Sequence, residues 1–334
     1  MGGSGGCFFS KGGNTMKGWE FTYTHQPLRL VEKPDPVAKP GYVVIDVKAA
    51  GLCHSDVSAL EHESWLSLIK CPPLIIGHEF AGVITEIGEG VTGYKVGDKV
   101  GVCPMFWKDG TGPGYGRDGG YATKSTSPAE MLVPVPDGVT FAQAAAATDA
   151  GMTSYHAMCV TAGIKEGMKV GIIGIGGLGQ IAARIAVVKG CEVYAATRKK
   201  EAQELAMSLG CAGVADSIMD LADKQLDVIV DFAGAGKTTA DAVEAVGFKG
   251  KVVIVGMASD YTEINTMTMI TKQVTVVGSN GGDGSDIAAC YELMASGKLD
   301  PILTEITFDQ IGEGIDMLKE GKVKGRLVAI VSEE

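Results

Sequence analysis

Six residues, Gly174-Ile175-Gly176-Gly177-Leu178-Gly179, constrain the fold more than any other stretch of the chain. They follow the apolar run Val170-Gly171-Ile172-Ile173 and open a segment, Leu178 to Lys189, with apolar residues at helical spacing. A GxGxxG string between a strand and a helix is a dinucleotide-binding turn. Gly174 permits the tight turn, Gly176 lets the backbone approach a pyrophosphate, and Gly179 lets the helix pack closely on the strand. The unpaired N–H groups around Gly177 and Leu178, with the helix dipole, then hold the phosphates.

The surrounding texture agrees. Met168–Ile173, Glu192–Ala196, Asp227–Asp231, Lys251–Val255 and Val274–Val277 read as buried strands, with helices expected at Leu178–Lys189 and Lys199–Leu209. Such alternation predicts an α/β protein with a doubly wound parallel sheet. The first half differs. Short apolar runs at Tyr42–Val47, Gly82–Ile87 and Lys99–Val102 lie between Gly, Pro and Asp turns, so this half is β-rich. Phe141–Ala147 and Ser154–Val160 look helical, and the chain closes on the strand-like Arg326–Val331. With 334 residues there is room for about two domains. We expect residues 16–160 and 296–334 to form one and residues 161–295 the other. Residues 1–15 read as a flexible extension, an expression remnant or an upstream start.

A net charge of −11 gives no footprint for nucleic acid or an anionic membrane. No apolar run reaches the roughly 18 residues that span a bilayer. Eight scattered cysteines without a CxxC pair suit reduced thiols in the cytoplasm.

Cofactor choice is made at the end of the second strand of such a sheet, where NAD enzymes usually carry an acid for the ribose hydroxyls. Here the chain reads Ala195-Ala196-Thr197-Arg198-Lys199-Lys200, without an acid. Thr197, Arg198 and Lys199 suit a 2′-phosphate, which favours NADP(H) over NAD(H). If the two cations merely start a solvated helix, NAD stays open.

Gly51-Leu52-Cys53-His54-Ser55-Asp56 and Gly77-His78-Glu79 are the informative stretches of the first half. A thiolate and an imidazole bind zinc well, and a catalytic site needs a third protein ligand and an open position. Read alone, Cys53 and His78 are more often a buried thiol and a satisfied histidine than ligands. However, GLCHSD, GHEFAGVITEIGEGVTGYKVGDKV, DGGYA and GIIGIGGLG together resemble the zinc-containing alcohol dehydrogenases of the medium-chain dehydrogenase/reductase superfamily. The match is collinear from about residue 16 to the C-terminus. It implies a GroES-like, β-rich catalytic domain beside a Rossmann cofactor domain, acting on a small alcohol or carbonyl substrate.

The resemblance implies Cys53 and His78 as zinc ligands. Many relatives have cysteine where this chain has Asp149, and some use aspartate there. A carboxylate is a competent ligand, and an unpaired one in an alanine-rich segment would be costly. Glu79 matches a family glutamate that can transiently reach the metal, and Asp56 one that orients the histidine ligand. Ser55 matches the hydroxyl that contacts the substrate oxygen. The relay histidine of many relatives is replaced by Ser58, and His62 could substitute if residues 55, 58 and 62 share a helix face. His54 and Arg326 match positions that contact the cofactor phosphates. Trp65, Phe106, Trp107 and Tyr121 are expected around an apolar substrate pocket, although core filling explains them equally. Relatives' structural zinc needs four cysteines, whereas this stretch offers only Cys103, so one zinc per subunit is expected. Val274–Gly278 resembles the edge strand through which relatives pair, implying a homodimer, with a tetramer open.

Two other readings remain. Superfamily members also reduce activated C=C bonds, and the altered third ligand and missing relay histidine keep that alternative open. A non-enzymatic nucleotide-binding protein is the other, disfavoured by retention of Cys53, Ser55, His78 and the glycine motif together.

Overall fold

A computed structural model describes residues 14–105 and 110–332. The chain opens with β1 (Thr15–Phe21), β2 (Arg29–Pro34) and β3 (Tyr42–Leu52), then α1 (His54–Glu61) and β4 (Leu74–Ile75). Next come β5 (Glu79–Ile87), β6 (Lys99–Val102), β7 (Lys124–Pro128) and β8 (Leu132–Pro134). A helical run over residues 141–162 holds α2 (Phe141–Ala146) and α3 (Met152–Tyr155), each followed by a π-helical stretch. The alternating part is β9 (Lys169–Ile173), α4 (Gly179–Val188), β10 (Glu192–Ala196), α5 (Lys200–Ser208) and β11 (Gly213–Ala215). It continues through β12 (Val228–Asp231), α6 (Lys237–Ala245), β13 (Lys251–Ile254), α7 (Thr266–Lys272), β14 (Thr275–Gly278) and α8 (Gly284–Ala295). The chain then returns through β15 (Leu303–Thr307), α9 (Ile311–Lys319) and β16 (Arg326–Ile330).

The β-rich half is mostly antiparallel. A sheet ordered β15-β16-β3-β5-β6-β8, with β7 also on β3, packs near a smaller β2-β1-β4 sheet. Its core holds Phe21, Val43, Ile45, Val47, Phe80, Ile84, Val100 and Leu327, all fully buried. Within β3 the pleat puts Val43, Ile45 and Val47 on one face, and burial becomes continuous over Ala49–Leu52, where neighbouring strands cover both sides. The C-terminal β16 pairs with β3 (Leu327 opposite Leu52), and β5 pairs on its other side (Glu79 opposite Gly51). Thus residues 245 or more apart meet at the end of one central strand.

The second half is a six-stranded parallel sheet, β11-β10-β9-β12-β13-β14. Its strands bury Val170, Ile172, Val193, Ala195, Val230 and Val253, because helices cover both faces. Strand order reverses between β9 and β12, and ligands bind parallel sheets at the carboxyl ends beside such a switch. β14 lies at the sheet edge, where the sequence put its edge strand. Among the described residues no helix is long and apolar enough to cross a membrane.

Candidate metal and cofactor site

The glycine motif occupies the expected turn. Gly174 has φ +86°, closed to most side chains, and a Cβ on Gly179 would overlap the Gly174 carbonyl oxygen. Gly176 has open space where a side chain would stand. Leu178 holds the N-cap position of α4, and the turn before it, Gly174 to Gly177, lines a cleft of about 810 Å³. His54, Thr197, Arg198, Lys199 and Arg326 line the same cleft. Lys199 Nζ donates to the Gly321 carbonyl at 2.7 Å, whereas Arg198 makes no hydrogen bond among the described residues. Partial desolvation, then the Arg326 charge, lower the His54 imidazole below its ordinary pKa.

Next to two of these lining residues, His54 and Arg326, lies a polar cluster. β3 delivers Cys53 as the N-cap of α1, the turn before β5 delivers His78, and the π-helical stretch Ala147–Gly151 delivers Asp149. One ligand atom from each of Cys53, His78 and Asp149 lies within 4.8 Å of the others, the only such group among the described residues. His78 Nε2 stands 3.3 Å from Asp149 Oδ2. Two bonds of about 2.0–2.1 Å meeting at a tetrahedral angle subtend about 3.3 Å, so this spacing fits a zinc edge. The local charge fits as well. Glu79 and Asp149 share the one guanidinium of Arg326 while Asp56 lies beside His78, so carboxylates outnumber the fixed cation, an excess that a divalent cation offsets. Burial opposes protonation of His78, yet Tyr115, Asp56 and Asp149 hold its pKa well above the ordinary value. Despite burial, His78 and Arg326 draw the Asp149 carboxyl well below the usual range. That site attracts positive charge.

Supporting contacts surround these residues. Asp56 is 4% exposed; its Oδ2 accepts from the Cys53 N–H at 3.0 Å, and its Oδ1 lies 3.5 Å from His78 Nδ1. Ser55 Oγ is buried without a well-formed hydrogen bond, with the Tyr115 phenol beside it. Tyr115 also leans on His78, ring centroids 5.4 Å apart, and burial pushes its phenol up to about 12.

Several expectations need correction. Glu79 does not join the three ligand atoms: it is fully buried and its carboxylate is forked onto Arg326, because a buried acid must be paired. Tyr121 is no pocket wall. It is fully buried, and its phenol donates to Asp56 Oδ2 at 2.6 Å, the acceptor that a sequestered hydroxyl requires. His62 shares no helix face with Ser55, since α1 ends at Glu61 and His62 is extended and exposed. Trp65 sits half-buried in the turn Glu63–Ser67 against the β-rich core. Phe106 and Trp107 lie outside the described residues. Arg326 reaches the cleft as expected, but two of its nitrogens are on Glu79 and Asp149. Tyr115 was missed, since a lone tyrosine in the glycine-rich GTGPGYGR gives no local signal.

The fold and site combine a dinucleotide-type cleft with three side chains able to hold a metal ion, and the relatives are oxidoreductases. Residues 39–137 match the alcohol dehydrogenase GroES-like domain and residues 177–296 the zinc-binding dehydrogenase domain. An alcohol dehydrogenase of Geobacillus stearothermophilus is 33% identical over 328 residues, covering 91% of this chain and 96% of the relative. The acetophenone reductase of Geotrichum candidum, solved in complex with NAD, superposes with a TM-score of 0.87 at 30% identity. That likeness covers 96% of this chain and 99% of the other. The alcohol dehydrogenase of Aeropyrum pernix gives the same TM-score at 28% identity, over 94% of this chain and all of that one. The chain belongs to the zinc-type medium-chain dehydrogenase/reductase family.

Proposed function

We propose that the protein is a zinc-dependent alcohol dehydrogenase or carbonyl reductase that moves hydride between NADP(H), in preference to NAD(H), and a small alcohol, aldehyde or ketone. The observation that carries this is the cluster of Cys53, His78 and Asp149, joined to the dinucleotide cleft through Arg326, which lines the cleft and donates to Asp149. These three side chains would hold the zinc, which when bound supplies Lewis-acid polarisation of the substrate oxygen. The nicotinamide supplies the hydride chemistry.

The chain's own groups do the rest. Asp56 Oδ1 stands 3.5 Å from His78 Nδ1, which leaves Nε2 as the ring nitrogen turned to Asp149 and the ligand position. Tyr121 and the Cys53 N–H hold Asp56 in turn. Ser55 Oγ, buried beside the Tyr115 phenol, is placed to accept a hydrogen bond from a substrate hydroxyl. Gly176 and the α4 N-terminus would cradle the pyrophosphate, with Arg198 in the cleft lining as a cation for a 2′-phosphate. Because Cys103 is the only cysteine between Gly97 and Asp118, we assign one zinc per chain and no structural zinc.

Residues 16–160 and 296–334 would act as the catalytic domain and residues 161–295 as the cofactor domain of a cytoplasmic homodimer. Edge strand β14, beside the exposed Met267 and Ile270, supports the dimer. A rate screen of alcohols, aldehydes, ketones and enals with NADPH and NADH, before and after chelation, tests the reading. Carbonyl reduction lost on chelation and restored by zinc is expected. Reduction of the enal C=C bond alone, unaffected by chelation, would overturn it.

A further inference from the structure

Arg326 has two working edges. Nε and Nη2 lie on the Glu79 carboxylate, and Nη2 also donates to Asp149 Oδ2 at 2.8 Å. The other edge faces the glycine turn: a methyl group on Gly177 would meet Arg326 Cδ at 3.1 Å and Nη1 at 3.3 Å. Nη1 makes no hydrogen bond among the described residues, and Arg326 lines the cleft. A single planar cation therefore spans the third ligand position and the phosphate-binding turn.

We propose that Arg326 is a positioning residue that couples the metal cluster to the cofactor pyrophosphate, so that each binds more tightly when the other is present. Asp149 Oδ2 faces both His78 Nε2, at 3.3 Å, and Arg326 Nη2, at 2.8 Å. A cation among the three ligands competes with the guanidinium for that oxygen and repels it. An anion at Gly177 draws the same guanidinium the other way, through Nη1. Opposite charges at the two edges thus reinforce one another, strongly so where little water screens them. Glu79 anchors the guanidinium between them and keeps the displacement small. The inference rests on the ligand and cofactor assignments proposed above, and its test separates its failure from theirs.

Zinc affinity of the purified protein would be measured by competition with a chelator of known strength. The measurement is repeated with 2′-phospho-ADP-ribose, which carries the pyrophosphate without nicotinamide, and with adenosine 2′-monophosphate, which carries neither. The expected result is zinc binding about 5-fold or more tighter with the pyrophosphate compound, within the usual range for coupled sites. Adenosine 2′-monophosphate should change it less than about twofold. By reciprocity, zinc must tighten the pyrophosphate compound by the same factor. Arg326→Lys keeps the charge, loses the second edge and should bring the factor below about twofold. Equal effects of both nucleotides, no effect of either, or full coupling in Arg326→Lys would each overturn the inference while leaving the two sites standing. Failure of the protein to bind zinc at all would instead overturn the functional reading.

Discussion

Tyr121→Phe separates a buried support from a pocket wall. The phenol donates to Asp56 Oδ2 at 2.6 Å, both residues are buried, and phenylalanine keeps the ring volume. No cavity opens, so the cost is the lost hydrogen bond to a carboxylate, about 1.5–3 kcal/mol. With a urea m-value of about 3 kcal/mol/M, the unfolding midpoint should fall by roughly 0.5–1 M at unchanged m. Asp56 would keep the Cys53 N–H but lose its second donor. Zinc affinity should therefore weaken too, by less than the roughly 10–100-fold typical of losing a direct ligand partner such as Asp56 itself. Urea unfolding at fixed zinc, with metal competition on the same samples, measures both. A midpoint within about 0.2 M of wild type, together with altered preference for bulky substrates, would refute the support role and restore the pocket-wall reading.

Three further outcomes are expected. Arg198→Ala should raise the Michaelis constant for NADPH by roughly 10–100-fold while barely moving that for NADH, as loss of a charge-assisted phosphate contact requires. Equal effects on both cofactors would remove Arg198 from the 2′-phosphate site. Arg326→Met should destabilise by about 3–5 kcal/mol, because Glu79 and Asp149 lose their buried counter-charge, and adding Glu79→Gln should recover part of that. Purely additive losses in urea unfolding would contradict the pairing. Gly179→Ala forces a methyl group onto the Gly174 carbonyl and should cost about 1–3 kcal/mol with loss of cofactor binding, read by nucleotide titration.

Much of the fold is local and was legible. Lys99–Val102 and Glu192–Ala196 have in the structure the bounds that their apolar runs suggested, and β9, β12, β13 and β16 agree within a residue or two. Buried parallel strands announce themselves as uninterrupted apolar runs. β1 and β2 did not, since β2 is largely exposed and carries no apolar alternation. The π-helical turns around Asp149 and His156 were equally silent: sequence spacing shows a helix there but not its local widening, a feature frequent near functional sites. At the site, Cys53, His78 and Asp149 were named from motif and alignment position, and the fold brings them together. What the sequence could not show was pairing across distance. Glu79 meets Arg326, 247 positions away, and Tyr121 meets Asp56, 65 positions away. Each pairing exists because a buried polar group takes whichever partner the fold brings near, and no local pattern records that.

The central claim is that Asp149 completes a catalytic zinc site. Metal analysis of the purified wild-type chain beside Asp149→Ala tests it most directly. Wild type should carry one zinc per chain, and Asp149→Ala should lose it on dialysis while still binding NADPH. A variant that keeps full zinc, or an active wild-type enzyme that carries none, would contradict the account.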